Sequence, residues 1–248
     1  MSQLTLEQKI SRWEDQRAIK NLMGKYVLTM LLEQRDEVFG RFWSRKADVC
    51  LGLNDGWYAG AEAIQGYYAA QWARTAAESA LMESLFPEKL SGLTEKQKYG
   101  VGHLDNRPVS TPVIAVAADG QTAKGMWTSM GCYTDFDPAY GPQSHWNWSV
   151  YAVDFIREDD GWKIWHLQYL TEIDTLCGGD WTKPAKPQKP RPEFAPLAEA
   201  AVPGPNVPAK LHESWSVKRL SAGLPRLPEA YTTFADTFTY GMREEASK

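Results

Sequence analysis

His145-Trp146-Asn147-Trp148-Ser149-Val150-Tyr151-Ala152-Val153-Asp154-Phe155-Ile156-Arg157 is the stretch on which the fold turns. Read in steps of two, it puts His145, Asn147, Ser149 and Tyr151 on one side and Trp146, Trp148, Val150 and Ala152 on the other. That alternation is the signature of a strand with two unlike faces. The first set is polar enough to line a wet cavity.

Similar segments lie on both sides of it. Residues 109–117 and 122–134 read as strands joined by Ala118-Asp119-Gly120, and Glu158-Asp159-Asp160-Gly161 turns the chain into a last strand over 162–169. Upstream, Val49, Leu51 and Leu53 alternate with Cys50, Gly52 and Asn54. Asn54-Asp55-Gly56 then supplies a hairpin turn before Trp57-Tyr58. Further upstream the period changes. Ile19, Leu22, Met23, Tyr26, Val27, Met30 and Leu31 form a helical stripe, and Thr5 with Gln8 makes a capping box, which predicts a helix over 5–32. Shorter helices are expected at 36–43 and 61–79, with a long loop at 86–102 of the length that often serves as a lid. Helices first and an antiparallel meander afterwards predict an α+β fold, with helices packed on one face of a curved sheet.

Composition sets the outer limits. The chain has 248 residues, 43% hydrophobic and 23% charged, within the ordinary range for a globular protein. A net charge of -4 gives no footprint for nucleic acid. No apolar run reaches membrane-spanning length, and residues 1–8 lack the order of a signal peptide, so the expectation is a cytoplasmic protein with no membrane partner. Cys50, Cys132 and Cys177 are too few and too far apart for a disulfide framework and read as reduced thiols. Neither HxH, HExxH, GxGxxG nor a Walker sequence occurs, so no metal site and no cofactor are expected. Eleven tryptophans favour a pocket for an aromatic ligand. Ten of the fifteen prolines fall between Pro184 and Pro228, so the chain divides into a domain over 1–176 and an extension over 177–248. Trp215, Leu220, Tyr231, Phe234, Phe238 and Tyr240 in that extension imply that it wraps its own barrel or a partner subunit.

Several strings resemble the SnoaL-like branch of the nuclear transport factor two-like superfamily. Residues 14–19 through Lys25-Tyr26 are similar to its opening helix, and 57–64 (Trp-Tyr-Ala-Gly-Ala-Glu-Ala-Ile) resemble its hairpin-to-helix signature. Residues 111–114, 119–125, 154–159 and 161–166 look like its sheet. The resemblance spans about 10–170 and implies a cone-shaped curved antiparallel sheet closed by N-terminal helices, with the ligand in its open end. It also implies a homodimer paired through the outer face of the sheet, and a menu of dehydratases, isomerases, cyclases and inert binding modules, among which fold alone does not choose. In length, tryptophan content and tail the chain is similar to a diarylpropane lyase subgroup. Those enzymes convert lignin-derived 1,2-diarylpropane-1,3-diols to stilbenes with loss of formaldehyde.

Cofactor-free elimination needs a base, an acid and a group that meets developing negative charge. His103, Asp105 and Arg107 supply all three types within five residues. His166 falls on the last strand, where alternation groups it with Ile164 and Gln168 against Trp165, Leu167 and Tyr169. The resemblance puts it on the concave, pocket-lining face. It also makes Tyr26 a substrate-bonding tyrosine, while Leu31 stands where a dehydratase aspartate is expected and Arg107 where relatives often have a histidine. The expected catalytic set is therefore Tyr26, His103, Arg107 and His166. Asp105, His145, Asn147, Trp148, Tyr151 and Gln168 are the expected contacts for an aromatic small-molecule substrate. Arg107 or Tyr26 would steady a phenolate, with His103 or His166 as acid and base. The alternatives are a dehydratase or isomerase of a steroid-like or polyketide ring, a binding module with an inert pocket, and a structural dimerisation domain.

Overall fold

Thr5 and Gln8 exchange reciprocal hydrogen bonds of 3.0 and 3.2 Å at the start of the first helix, so two orphan N–H groups there are satisfied locally. The computed structural model describes residues 5–31, 38–137, 141–182, 197, 200–219 and 224–242. The first helix, α1, is Leu6–Leu31, and a single-turn helix, α2, is Val38–Phe42. The expected start of the second helix, residues 36 and 37, lies outside the described residues. The hairpin β1 (Cys50–Leu53) and β2 (Gly56–Ala59) leads into α3, Ala61–Leu85, six residues longer than the alanine-rich run predicts. The stretch expected as a loop carries two one-turn helices, α4 (Pro87–Leu90) and α5 (Glu95–Lys98). The second is capped by a Thr94–Gln97 box.

The sheet follows as β3 (Asp105–Asn106), β4 (Val109–Val116), β5 (Thr122–Asp137), β6 (Gly141–Glu158) and β7 (Gly161–Leu176), with β8 (Val207–Pro208) from the tail. Its order is β3-β5-β6-β7-β1-β2-β8, and β4 also pairs with β5. The sheet is curved and unclosed. One joint departs from the expected antiparallel pattern: β1 runs parallel to β7, with Leu51 opposite Leu167. The central strands β5, β6 and β7 are also longer than the alternation shows.

Two faces result. The inner face gives Trp127, Tyr151, Val153, Phe155, Ile164 and Leu167 to a core shared with Ile19, Met23 and Tyr26 of α1 and with Ile64 and Tyr68 of α3. The outer face gives Met126, Val150 and Ala152 to a smaller cluster closed by Tyr240 and Phe238 of the tail. The described tail lies along its own barrel. Asn206 bonds both backbone groups of Ala59, β8 extends the sheet beside β2, and Ala118 and Asp119 donate to the carbonyls of Tyr231 and Thr232. It thus occupies part of the sheet face on which the resemblance places a partner copy. No described helix is long and apolar enough to cross a membrane.

Candidate active site

At the mouth, the edge strand breaks between β3 and β4, and Arg107 occupies the break. Its backbone crosses directly over Gly131 of β5, where a Cβ would lie 2.8 Å from the Arg107 Cα. Only the absence of a side chain at 131 lets the edge strand come in this far. Asp105 is paired with Tyr133, so it faces the inside of the cone. Its Oδ1 is 2.9 Å from Arg107 Nε. Burial opposes the guanidinium charge, but the Asp105 carboxylate prevails and the group's pKa is raised. Arg107 Cζ also lies 4.6 Å from the ring centre of Tyr133 and 5.6 Å from that of Tyr169. It therefore stays charged with aromatic rings packed on it.

Asp105 and Arg107 are shared by two compartments. The inner hollow, about 50 Å³, is lined by Tyr26, Val27, Met30, Leu51, Leu53, Tyr67, Tyr68, Tyr151 and Tyr169 besides that pair. The outer cleft, about 300 Å³, includes Gln71, Arg74, Glu78, His103 and Tyr133. Inside the hollow the tyrosines are linked: the Tyr26 and Tyr68 hydroxyls are 2.9 Å apart, and Trp43 Nε1 donates to Tyr68 at 3.3 Å. Burial, and then the Tyr68 hydroxyl, push Tyr26 well above the ordinary tyrosine range, and burial does the same to Tyr151. These hydroxyls are neutral near neutral pH, so each holds a proton it can lend. In the cleft, His103 Nδ1 is 3.3 Å from Glu78 Oε2, and Arg74 Nε donates to Glu78 Oε1 at 2.7 Å. Burial would raise the Glu78 pKa, but its bonds to His103 and Arg74 hold it below the usual carboxylate range.

Of the residues singled out from the sequence, Tyr26, Asp105, Arg107 and Tyr151 converge on the hollow, and His103 stands in the adjoining cleft. Asn147 and His145 lie behind the wall. Asn147 Oδ1 accepts from Tyr169 at 2.6 Å, and His145 Nδ1 is 2.9 Å from Asp174 Oδ1. Three others are elsewhere. Trp148 shares the outward parity of Val150 and packs beside Trp146, with ring centres 6.3 Å apart. Gln168 donates to the carbonyl of Tyr240 at 2.8 Å, under the tail. His166, expected on the concave pocket-lining face, lies on the other side. A bulge leaves Trp165 unpaired, so Phe155 meets Ile164 while Asp154 meets His166. The extra residue reverses the parity: Ile164 faces the core, and His166 faces outward. There its Nδ1 is 2.9 Å from Asp154 Oδ2 and its ring lies against Gly241 of the tail, so it does not line the hollow.

Tyr67, Tyr68, Glu78, Tyr133 and Tyr169 also line the two compartments, and Asp174 bonds Tyr133, without a mark in the sequence that groups them with the site. Ile64 and Tyr68, four apart on α3, were the available sign that a tyrosine faces inward there. Among the described residues, no group of three or more His, Cys, Asp or Glu side chains is placed to hold a metal ion.

Comparison with curated proteins returns no match. Among solved structures, the chain is similar to an NTF2-like protein with a cystatin-like fold from Novosphingobium aromaticivorans. The two are 17% identical over 69% of this chain and 91% of that one, with a TM-score of 0.43. A putative scytalone dehydratase from the same organism is 13% identical over 73% and 99% of the two chains, with a TM-score of 0.45. The hexachlorocyclohexane dehydrochlorinase LinA-type3 from Novosphingobium barchaimii is 14% identical over 71% and 99%, also at 0.45. The SnoaL-like domain model matches residues 11–168, the cone and every strand that builds the hollow up to Gln168, and the chain therefore belongs to the SnoaL-like domain family.

Proposed function

We propose that this protein is an enzyme that performs a cofactor-free elimination on a phenolic aromatic substrate. In its most specific form the reaction deformylates a lignin-derived 1,2-diarylpropane-1,3-diol to a stilbene, formaldehyde and water. The observation that carries the reading is the meeting, in one hollow, of the Asp105–Arg107 pair with the neutral Tyr26–Tyr68 hydroxyl pair. An inert binding pocket has no need for opposed proton donors and acceptors beside a charged guanidinium.

Each residue has a task in this reading. Asp105 takes the phenol proton, and Arg107 meets the phenolate that forms. Electrons pushed from the phenolate break the benzylic carbon–oxygen bond, and the departing hydroxide takes a proton from Tyr26 and leaves as water. The result is a quinone methide. The Tyr26 oxygen then removes the proton of the terminal hydroxyl. The carbon–carbon bond breaks, formaldehyde leaves, and its bonding pair forms the stilbene double bond while the ring regains aromaticity. Asp105 returns its proton to the phenolate, so both residues end as they began. His103, held by Glu78 in the cleft, takes part in no proton transfer. The hollow is smaller than the roughly 150 Å³ cavity that accepts benzene, so an aryl ring requires side chains of the lining to move aside.

Incubating the protein with a phenolic diaryl diol is expected to release formaldehyde and stilbene in equal amounts, while the phenol methyl ether is inert. Arg107→Gln is expected to lower turnover by about 10² to 10³-fold. Loss of water without formaldehyde would transfer the protein to the dehydratases, and activity on the methyl ether would remove the phenolate from the mechanism.

A further inference from the structure

Arg107 is useful to a phenolate only if its guanidinium is held still, and its ion pair with Asp105 lies against it at Nε. Further constraints are the Tyr169 hydroxyl, which bonds the guanidinium, and the two rings packed on it, Tyr133 and Tyr169. Each ring is tethered by its hydroxyl to a residue behind the wall. Tyr133 donates to Asp174 Oδ2 at 2.7 Å, and Tyr169 donates to Asn147 Oδ1 at 2.6 Å. The two anchors are themselves braced. Ser149 Oγ donates to Asn147 Oδ1 at 2.7 Å, Asn147 Nδ2 lies 3.5 Å from Asp174 Oδ2, and His145 holds the other Asp174 oxygen at 2.9 Å. The bonds to His145 and Tyr133 hold the Asp174 carboxyl below its ordinary range against the effect of burial.

Strand register builds this brace. Tyr133 is paired with His145, and their rings stack with centres 4.6 Å apart. Asn147 is paired with Asp174. A second bulge, which leaves Glu172 unpaired, brings Asp174 onto the same face as Tyr169. Without it, parity would turn Asp174 away from the cone.

We infer that Asp174 and Asn147 are positioning residues, which fix the Arg107 guanidinium by gripping the hydroxyls of the two tyrosines packed on it. The inference rests on the reading that Arg107 meets a phenolate. Its test uses binding rather than turnover, so that the two can fail separately. The probes are 4-nitrophenolate, above its own pKa, and the neutral 4-nitroanisole, each followed by tryptophan fluorescence. Asp174→Ala with Asn147→Ala removes the two anchors and leaves both rings and their hydroxyls beside Arg107. This pair is expected to weaken 4-nitrophenolate binding about tenfold while 4-nitroanisole binding stays put. In an Arg107→Gln background the same pair is expected to have no further effect, because the two changes act through one group. Should the double variant fail to fold, Tyr133→Phe alone, whose tether is solvent-exposed, carries the same cycle. Equal losses in both backgrounds, or equal losses for the neutral probe, would show a general structural role and overturn the inference. If Arg107→Gln by itself leaves 4-nitrophenolate binding unchanged, the phenolate reading falls and this inference falls with it.

Discussion

His166 and Asp174 are both even-numbered residues of β7, yet His166 faces the tail and Asp174 faces the cone. Their chemistry follows from those sides. His166 shares Asp154 Oδ2 with the Thr239 hydroxyl and the Tyr240 N–H, at 2.9 and 2.7 Å, and so acts as a fastening for the tail. His166→Gln is therefore expected to leave turnover within about twofold of the parent. It should lower stability by about 1.5 to 3 kcal/mol, the usual worth of a charge-assisted bond, read by thermal melting alongside formaldehyde release. The candidate site was only partly legible at this scale. Asp105 and Arg107 could be found from residue type and proximity in sequence, and Tyr26 from the resemblance of the first helix. His166, Gln168 and Trp148 could not be sorted from them by chemistry, since a histidine reads the same on either face. Tyr133 and Asp174 carried no sign at all, because their roles come from cross-strand partners distant in sequence.

At the scale of elements, the three N-terminal helices and the hairpin were legible because their signals are local, whereas the one-turn helices α4 and α5 were read as loop. The Thr5–Gln8 box, the Asn54-Asp55-Gly56 turn and the stripe from Ile19 to Met30 each sit within a few residues of what they determine. Strand faces were legible only up to the first bulge. Period-two parity keeps no record of an inserted residue, and β7 contains two insertions, at Trp165 and Glu172. The edge-strand break at Arg107 was equally hidden, since it depends on Gly131 across the sheet rather than on its own neighbours. Gly131→Ala is expected to push the β3–β4 junction outward and carry Arg107 with it. Turnover should fall at least about tenfold while circular dichroism shows an unchanged fold. An alanine enzyme of parental activity would mean the close approach of backbone at 131 has no bearing on the reaction.

For the molecule as a whole, the tail forms part of the structure. Leu197 is fully buried against Leu81 and Phe136, and its carbonyl accepts from Arg74 at 2.6 Å. On the outer face Lys124 and Asp154 form a wholly buried ion pair at 2.6 Å. Phe238, Phe234, Tyr240 and Tyr231 of the tail surround the ammonium, with ring centres 4.5 to 5.8 Å away. Removing one member of such a pair strands the other charge without water. Lys124→Ala is thus expected to cost about 3 to 5 kcal/mol by urea unfolding, whereas an exposed substitution such as Lys210→Ala costs almost nothing.

That burial has a consequence for how the chain is made. Residues 231–242 follow in sequence everything they cover, down to the Met242 N–H that reaches Cys50 Sγ at 3.4 Å. A ribosome that has released the sheet still holds its cover, so Lys124, Asp154 and His166 remain hydrated until synthesis has passed 242. In the order of synthesis, docking of residues 231–242 therefore comes after the sheet they cover.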